Sequence, residues 1–176
     1  SADCPATASQ MIVKYFPTLT NLRAFDLRVN LDPIQFNYPK EIEMLQALEC
    51  FKLRFGQPIK KADWKQLSDV NLPKVKEIDF TFQEKSITNE LIKMISGFTS
   101  IDIVRLDFND LKKFPKKDQI KLAKAIPATL KKIMIRIQTP SDNTIDSFVK
   151  ELQSKDITEG IYLDFPNTKL TSAVMN

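Results

Sequence analysis

The 176-residue chain contains no histidine. That absence removes every histidine general base, every Ser–His or Cys–His nucleophile pair and the commonest zinc ligand. Cysteine is nearly absent too. Cys4 and Cys50 are too few for a metal cage and read either as one disulfide or as two free thiols of a reducing compartment. The 3 glycines form no phosphate-cradling loop. No apolar run approaches the ~18 residues that a membrane span needs. No signal-peptide pattern is visible, and the chain opens without Met, as processed or trimmed chains do. Enzyme chemistry therefore has few places to stand, and no cofactor or metal is expected.

What is present is a core-forming composition, 43% hydrophobic, in a length that suits one domain. The net charge of +4 comes from 26 basic and 22 acidic residues. It is unevenly placed. Arg105 to Arg136 holds ten Lys or Arg against three Asp, a local +7, so the remainder sums to −3. Such a stretch is either a solvated lysine-rich face or a patch for acidic partners.

One frame recurs along the chain. It is clearest in LKKIMIRI from Leu130, and returns as LRAFDLRV, LECFKLRF, VKEIDFTF, IVRLDFND and TEGIYLDF. The starts at Leu22, Leu48, Val75, Ile103, Leu130 and Thr158 step by 26, 27, 28, 27 and 28 residues. Each unit opens with a period-2 alternation of one buried strand face. Inward residues are Phe25, Leu27 and Val29; Phe51, Leu53 and Phe55; Ile78, Phe80 and Phe82; Leu106 and Phe108; Ile133, Ile135 and Ile137; and Ile161, Leu163 and Phe165. Helical spacing follows in most units: Pro39 to Ala47 with Ile42, Leu45 and Leu48; a stretch with Trp64 and Leu67; Ile87, Leu91 and Ile95 after a Ser86 cap, with Gly97 as C-cap; Leu122 and Ile126 up to Pro127; and Ile145, Phe148, Val149 and Leu152 capped by Ser141 or Asp142. Trp64 is expected in the core.

A period near 27 with one strand and one helix per unit predicts an α/β solenoid of about six units. Each crossover returns to a parallel neighbour, and helices wider than the ~4.8 Å strand spacing bend the stack, leaving a concave sheet with helices on the convex side. Residues 1–20 are expected to form an N-terminal helical cap, with Met11, Ile12, Tyr15 and Phe16 on one face and Pro17 ending the helix. The array spans 21–165, and 166–176 is a C-terminal cap or a truncated tail.

The outward strand residues make a ladder. Its expected central column is Asp26, Lys52, Asp79, Asp107, Met134 and Tyr162, beside a column with Arg28, Arg54 and Arg136; Arg105 also faces outward, on the fourth strand with Asp107 and Asn109. Arg and Tyr are typical interface anchors, so these ten residues are the candidate partner-binding set. The competing reading is an ordinary solvated face with charge pairs such as Asp26 with Lys52.

The frame L-x-x-L-x-L in LRAFDL, LECFKL, VKEIDF, IVRLDF and LKKIMI resembles the leucine-rich repeat, in its ribonuclease-inhibitor-like subclass, over roughly residues 20–165. IKLAKAIPATLKKIMI is similar to repeats of effector proteins that intracellular bacterial pathogens inject into host cells. The family implies protein recognition through the concave face. The family's Asn after the strand stands only at Asn30; Gly56, Gln83, Leu111, Gln138 and Pro166 occupy the equivalent places. The turns here must satisfy their backbone groups by other means.

The expected function is a non-catalytic protein-binding module acting as a monomer, an effector or adaptor delivered by a bacterium into a host cytosol. One alternative is electrostatic binding of nucleic acid or acidic surfaces through Lys112 to Lys132, although only Phe114 interleaves that basic run. A nucleic-acid partner is therefore disfavoured. Another is the recognition part of a longer enzyme. Within the chain, Asp79 and Asp107 can be read as a carboxylate pair on adjacent strands, and Lys52 and Arg54 as lowering the Cys50 thiol pKa.

Overall fold

The computed structural model describes residues 15–29, 39–59, 61–111, 113–138 and 145–165. Among the described residues six strands form: β1 Ala24–Val29, β2 Cys50–Phe55, β3 Glu77–Phe82, β4 Ile103–Phe108, β5 Thr129–Ile137 and β6 Asp156–Asp164. They make one parallel sheet in the order of the sequence, and the sheet does not close on itself. The fold is α/β. Parallel neighbours need crossovers, and five helices lie in them: α1 Pro39–Glu43, α2 Lys61–Leu67, α3 Asn89–Gly97, α4 Lys116–Ala125 and α5 Asp146–Leu152.

Alternation decides which strand face is buried. β2, β3 and β4 each bury every second residue and leave the others half-exposed. The buried set, Phe51, Leu53, Phe80, Val104, Leu106, Ile133 and Ile135 among others, forms one core with Ile42, Trp64, Leu91, Ile95, Leu122 and Phe148 from the helical connections. The helices thus cover one face. Phe rings run through that core from strand to strand: Phe51 meets Phe80 edge-on at 5.5 Å, and Phe55 stacks on Phe82 at 6.3 Å. Such pairs add about 0.5–1.5 kcal/mol each beyond area burial. Trp64 is buried, as its sequence context predicts, with its ring 5.3 Å from that of Phe82.

A backbone motif repeats at the entries of β2 to β5. The Arg23 carbonyl accepts from the N–H groups of both Glu49 and Cys50; Glu49 accepts from Lys76 and Glu77, Lys76 from Asp102 and Ile103, and Asp102 from Lys131 and Lys132, all at 2.7–3.1 Å. This shared acceptor locks each new strand to the preceding one at the same point.

Two buried polar side chains satisfy donors and acceptors in the crossovers. Glu84 Oε1 accepts from the Ile59 N–H at 2.7 Å and from Trp64 Nε1 at 3.1 Å. Gln119 Nε2 donates to the Phe114 carbonyl at 2.8 Å, and its Oε1 accepts from the Phe148 N–H at 3.3 Å. Burial pushes the Glu84 carboxyl up from the usual range, against its two hydrogen bonds.

Several local expectations change. The frame start in the fourth unit is Ile101, not Ile103, because Ile103 pairs with Glu77 and Lys132 as an outward residue. Both Ile103 and Val104 are apolar, so alternation is ambiguous at that strand's first residues. The first helix stops at Glu43, and the N–H groups of Met44 and Leu45 bond three residues back. Ile42, Leu45 and Leu48 therefore follow a 3-residue rather than a 3.6-residue period. α3 is capped by Thr88, whose Oγ1 accepts from the Leu91 N–H at 3.1 Å, not by Ser86, and Gly97 ends the helix with Phe98 as its C-cap. Pro17 lies inside a short 3-10 turn, Phe16–Thr18. Tyr15 is 61% exposed while Phe16 is 2% exposed, so they do not share a buried face. Met11, Ile12, Asn30, Pro33, Ser141, Asp142 and the 166–176 tail lie outside the described residues.

Candidate interaction surface

The helices cover one face of the sheet, and the other carries the ladder. All ten candidate residues stand at outward strand positions. Cα pairing sorts the face into three columns. The first is Ala24, Cys50, Glu77, Ile103, Lys132 and Gly160; the second Asp26, Lys52, Asp79, Arg105, Met134 and Tyr162; the third Arg28, Arg54, Thr81, Asp107, Arg136 and Asp164. Arg28, Arg54 and Arg136 share a column as expected. Asp107 does not belong to the central column: Arg105 takes that place, and Asp107 sits in the third column between Thr81 and Arg136. The displacement comes from the frame error at Ile103. Asp79 consequently pairs in register with Arg105 and not with Asp107, which dissolves the expected carboxylate pair.

With the corrected register, opposite charges alternate along the central column. Arg54 reaches Asp79 at 3.5 Å, Arg136 Nε reaches Asp164 at 3.2 Å, and Glu77 pairs with Arg105 and, at 3.8 Å, with Lys52. Asp26 is opposite Lys52 in register but lies 3.8 Å from Arg28. Lys132 stands over the Tyr162 ring, 4.9 Å from its centre. Glu77 and Asp164 complete these pairs; they were visible as ladder positions but carried no anchor signal of their own.

Asp107 differs from its neighbours. It is half-buried, joins no ion pair among the described residues, and its Oδ1 is shielded from solvent without a hydrogen-bond partner. Burial pushes its carboxyl up, while Arg136 pulls it down and Asp164 and Asp79 push it further up. Nearby, Arg54 Nε is likewise shielded and without a partner. Asp107 lines a cleft of 590 Å³ over β3 to β6, together with Asp79, Arg105, Met134, Arg136, Tyr162 and Asp164. Tyr162 is 56% exposed.

The chain matches no protein-family model and no curated protein.

The remaining candidates weaken on geometry. Cys50 is a free thiol, and Cys4 lies outside the described residues. Burial raises the Cys50 pKa, and Glu77, in register beside the thiol, adds to that against Lys52 and Arg105; the expected lowering is reversed chiefly by burial. The basic stretch does not form one patch. Arg105, Lys132 and Arg136 face outward on strands, Lys121 donates to Asn89 and Lys131 to Asp102, and Lys113, Lys116, Lys117 and Lys124 are exposed on or beside α4. Phe114 is buried against Phe148 and offers no ring to a base. Among the described residues, no group of three or more His, Cys, Asp or Glu is placed to hold a metal ion, and no helix is long and apolar enough to cross a membrane.

A second cleft of 460 Å³ lies beyond the carboxyl ends of β2 and β3, lined by Ile59, Trp64, Glu84 and the segment 86–90. Its Glu84 carboxylate already holds the cleft's own walls together.

Proposed function

We propose that this chain is a non-catalytic protein-recognition module, a leucine-rich-repeat-like solenoid that binds a partner protein across its outer sheet face. The observation that carries the reading is the uncovered face itself. Parallel sheets are usually covered on both sides, yet here, among the described residues, no helix covers one side, which presents three six-residue columns holding four Arg, with Met134 and Tyr162 at one end. Ion pairs hold many of these side chains in fixed positions, which lowers the entropy lost when a partner orders them. The recurring shared-carbonyl entry supports the solenoid geometry. So does the packing of elements chiefly on their sequence neighbours. The repeat at Ile120 to Ile135 supports an effector or adaptor acting on a host protein.

The test is capture of a partner by the wild-type chain and by the R28E/R54E/R136E variant, with circular dichroism melts showing both folded. Loss of a partner in the variant alone is the expected result. Equal capture moves the site off this face. The electrostatic alternative draws less support, since the lysines divide between two faces and Phe114 is buried.

A further inference from the structure

On the outer face, charges are nearly all answered. Arg54 answers Asp79, Arg105 answers Glu77, and Arg136 answers Asp164. Asp107 is the exception in the cleft, a half-buried carboxylate with no ion pair among the described residues and a shielded oxygen lacking a donor. A missing hydrogen bond at such an oxygen is costly, so a ligand that supplies the donor gains more than one binding a solvated carboxylate. Arg105 and Arg136 also line the cleft but are engaged by Glu77 and Asp164, so among the described residues Asp107 is the cleft's one carboxylate without an ion pair, beside a thioether and a phenol ring.

A single carboxylate does not hold a metal ion, which needs several oxygen ligands. What complements a lone carboxylate beside Met134 and Tyr162 is a long side chain with an apolar stem and a cationic head. Arginine suits it better than lysine. Its guanidinium is flat, weakly hydrated and able to keep two donors on one carboxylate while lying on an apolar surface. The Tyr162 ring already takes one cation on a face, that of Lys132 at 4.9 Å.

We propose that the cleft over β4 to β6 seats an arginine side chain of the partner protein, its guanidinium on Asp107 and its stem over Met134 toward Tyr162. This rests on the outer face being the recognition surface, and it names what that surface reads. The separation allows it: Asp107 and Tyr162 are two strands apart, roughly 10 Å by strand spacing, which the side chain and its adjoining backbone span together.

The probe is N-acetyl-arginine amide, titrated into the full 15N-labelled chain, with N-acetyl-citrulline amide as the neutral isostere. Saturable amide shifts confined to the Arg105–Phe108, Met134–Arg136 and Tyr162 neighbourhood are expected from arginine and not from citrulline. D107N keeps the side-chain shape and removes the charge; it should weaken arginine at least about tenfold, in line with a hydrogen bond to a charged group. M134A should weaken it a few-fold without abolishing it. Equal shifts with citrulline, unchanged affinity in D107N, or no shift at all overturns the arginine seat. The two readings separate cleanly. If arginine leaves these amides unmoved while R28E/R54E/R136E still abolishes capture, the face stands and the seat falls. If arginine binds through Asp107 yet capture ignores both D107N and the triple change, the seat is real and lies outside the recognition surface.

Discussion

Two carboxylates on opposite sides of the sheet show how little a residue type says without its surroundings. Asp107 faces out and lacks a partner; Glu84 is buried and has two donors on one oxygen. Glu84→Ala leaves the Ile59 and Trp64 N–H groups unsatisfied, at roughly 1–3 kcal/mol each, and urea denaturation should register a loss of that size. Glu84→Gln keeps an acceptor oxygen and removes the buried charge. Because burial raises the folded pKa of Glu84, the folded state favours its protonated form. That contribution is complete below the ordinary glutamate value and is lost as pH rises through the folded one. The wild type should therefore lose ground to E84Q as pH rises above the ordinary glutamate range. Melting curves that keep a constant gap between the two as pH rises would show that another group titrates. Neither role was legible beforehand: Glu84 looks like any loop carboxylate in a chain with 22 acidic residues, and its donors come from 20 and 25 residues away.

At the level of elements, the strands were legible because alternation of residues such as Phe51, Leu53 and Phe55 has one dominant cause, a sheet with one buried face. The slip at β4 arose where that cause was silent, at consecutive apolar residues Ile103 and Val104. A two-residue slip keeps every side chain on its own face, so the outward set survived while its columns shifted. Helix ends were less legible. Ser ranks slightly above Thr as a cap by type, and only the direction of the chain after β3 selects Thr88. The α4–α5 joint was not legible at all, since Gln119 reads as a wet helix residue. It is buried and bonds to the Phe114 carbonyl and the Phe148 N–H, tying α4 to the start of α5. Gln119→Ala should cost about 1–3 kcal/mol, chiefly from the orphaned Phe114 carbonyl, since the Phe148 N–H keeps its 3.0 Å bond to the Ile145 carbonyl. Hydrogen exchange gives the sharper check: the amides at the start of α5 should exchange faster in Q119A as the joint loosens, while amides of β2 and β3 keep their protection. Uniform acceleration everywhere would mean a global loss and no joint.

For the molecule as a whole, the open question is how stability is shared along the row of strands. A ball-shaped core links every element to many others, so it fails in one step. Here β1 through β6 pair only in sequence order, and α2, α3, α4 and α5 each pack on the next. Stability then adds up from units and their interfaces, as in a one-dimensional array. The six-fold frame in the sequence anticipated the sequential strand order; whether the units behave as a repeat array is tested by a change at the centre of the row. The Phe rings concentrate the coupling in the middle. Phe80 touches Phe51, Phe82 and Phe98, whereas Ile161 on the last described strand is 44% exposed. Phe80→Ala should cost about 3–5 kcal/mol as a large-to-small core change; Ile161→Ala should cost well under that, because little of its surface is removed from water. The more telling readout is cooperativity. A central cavity in a linear array weakens the link between its two halves, so in F80A the amides of β1 and β2 should lose protection at lower denaturant than those of β4 and β5, with a smaller m-value for each step. If both halves of F80A instead open together with the wild-type m-value, the core behaves as one body, and the nearest-neighbour account of this fold is wrong.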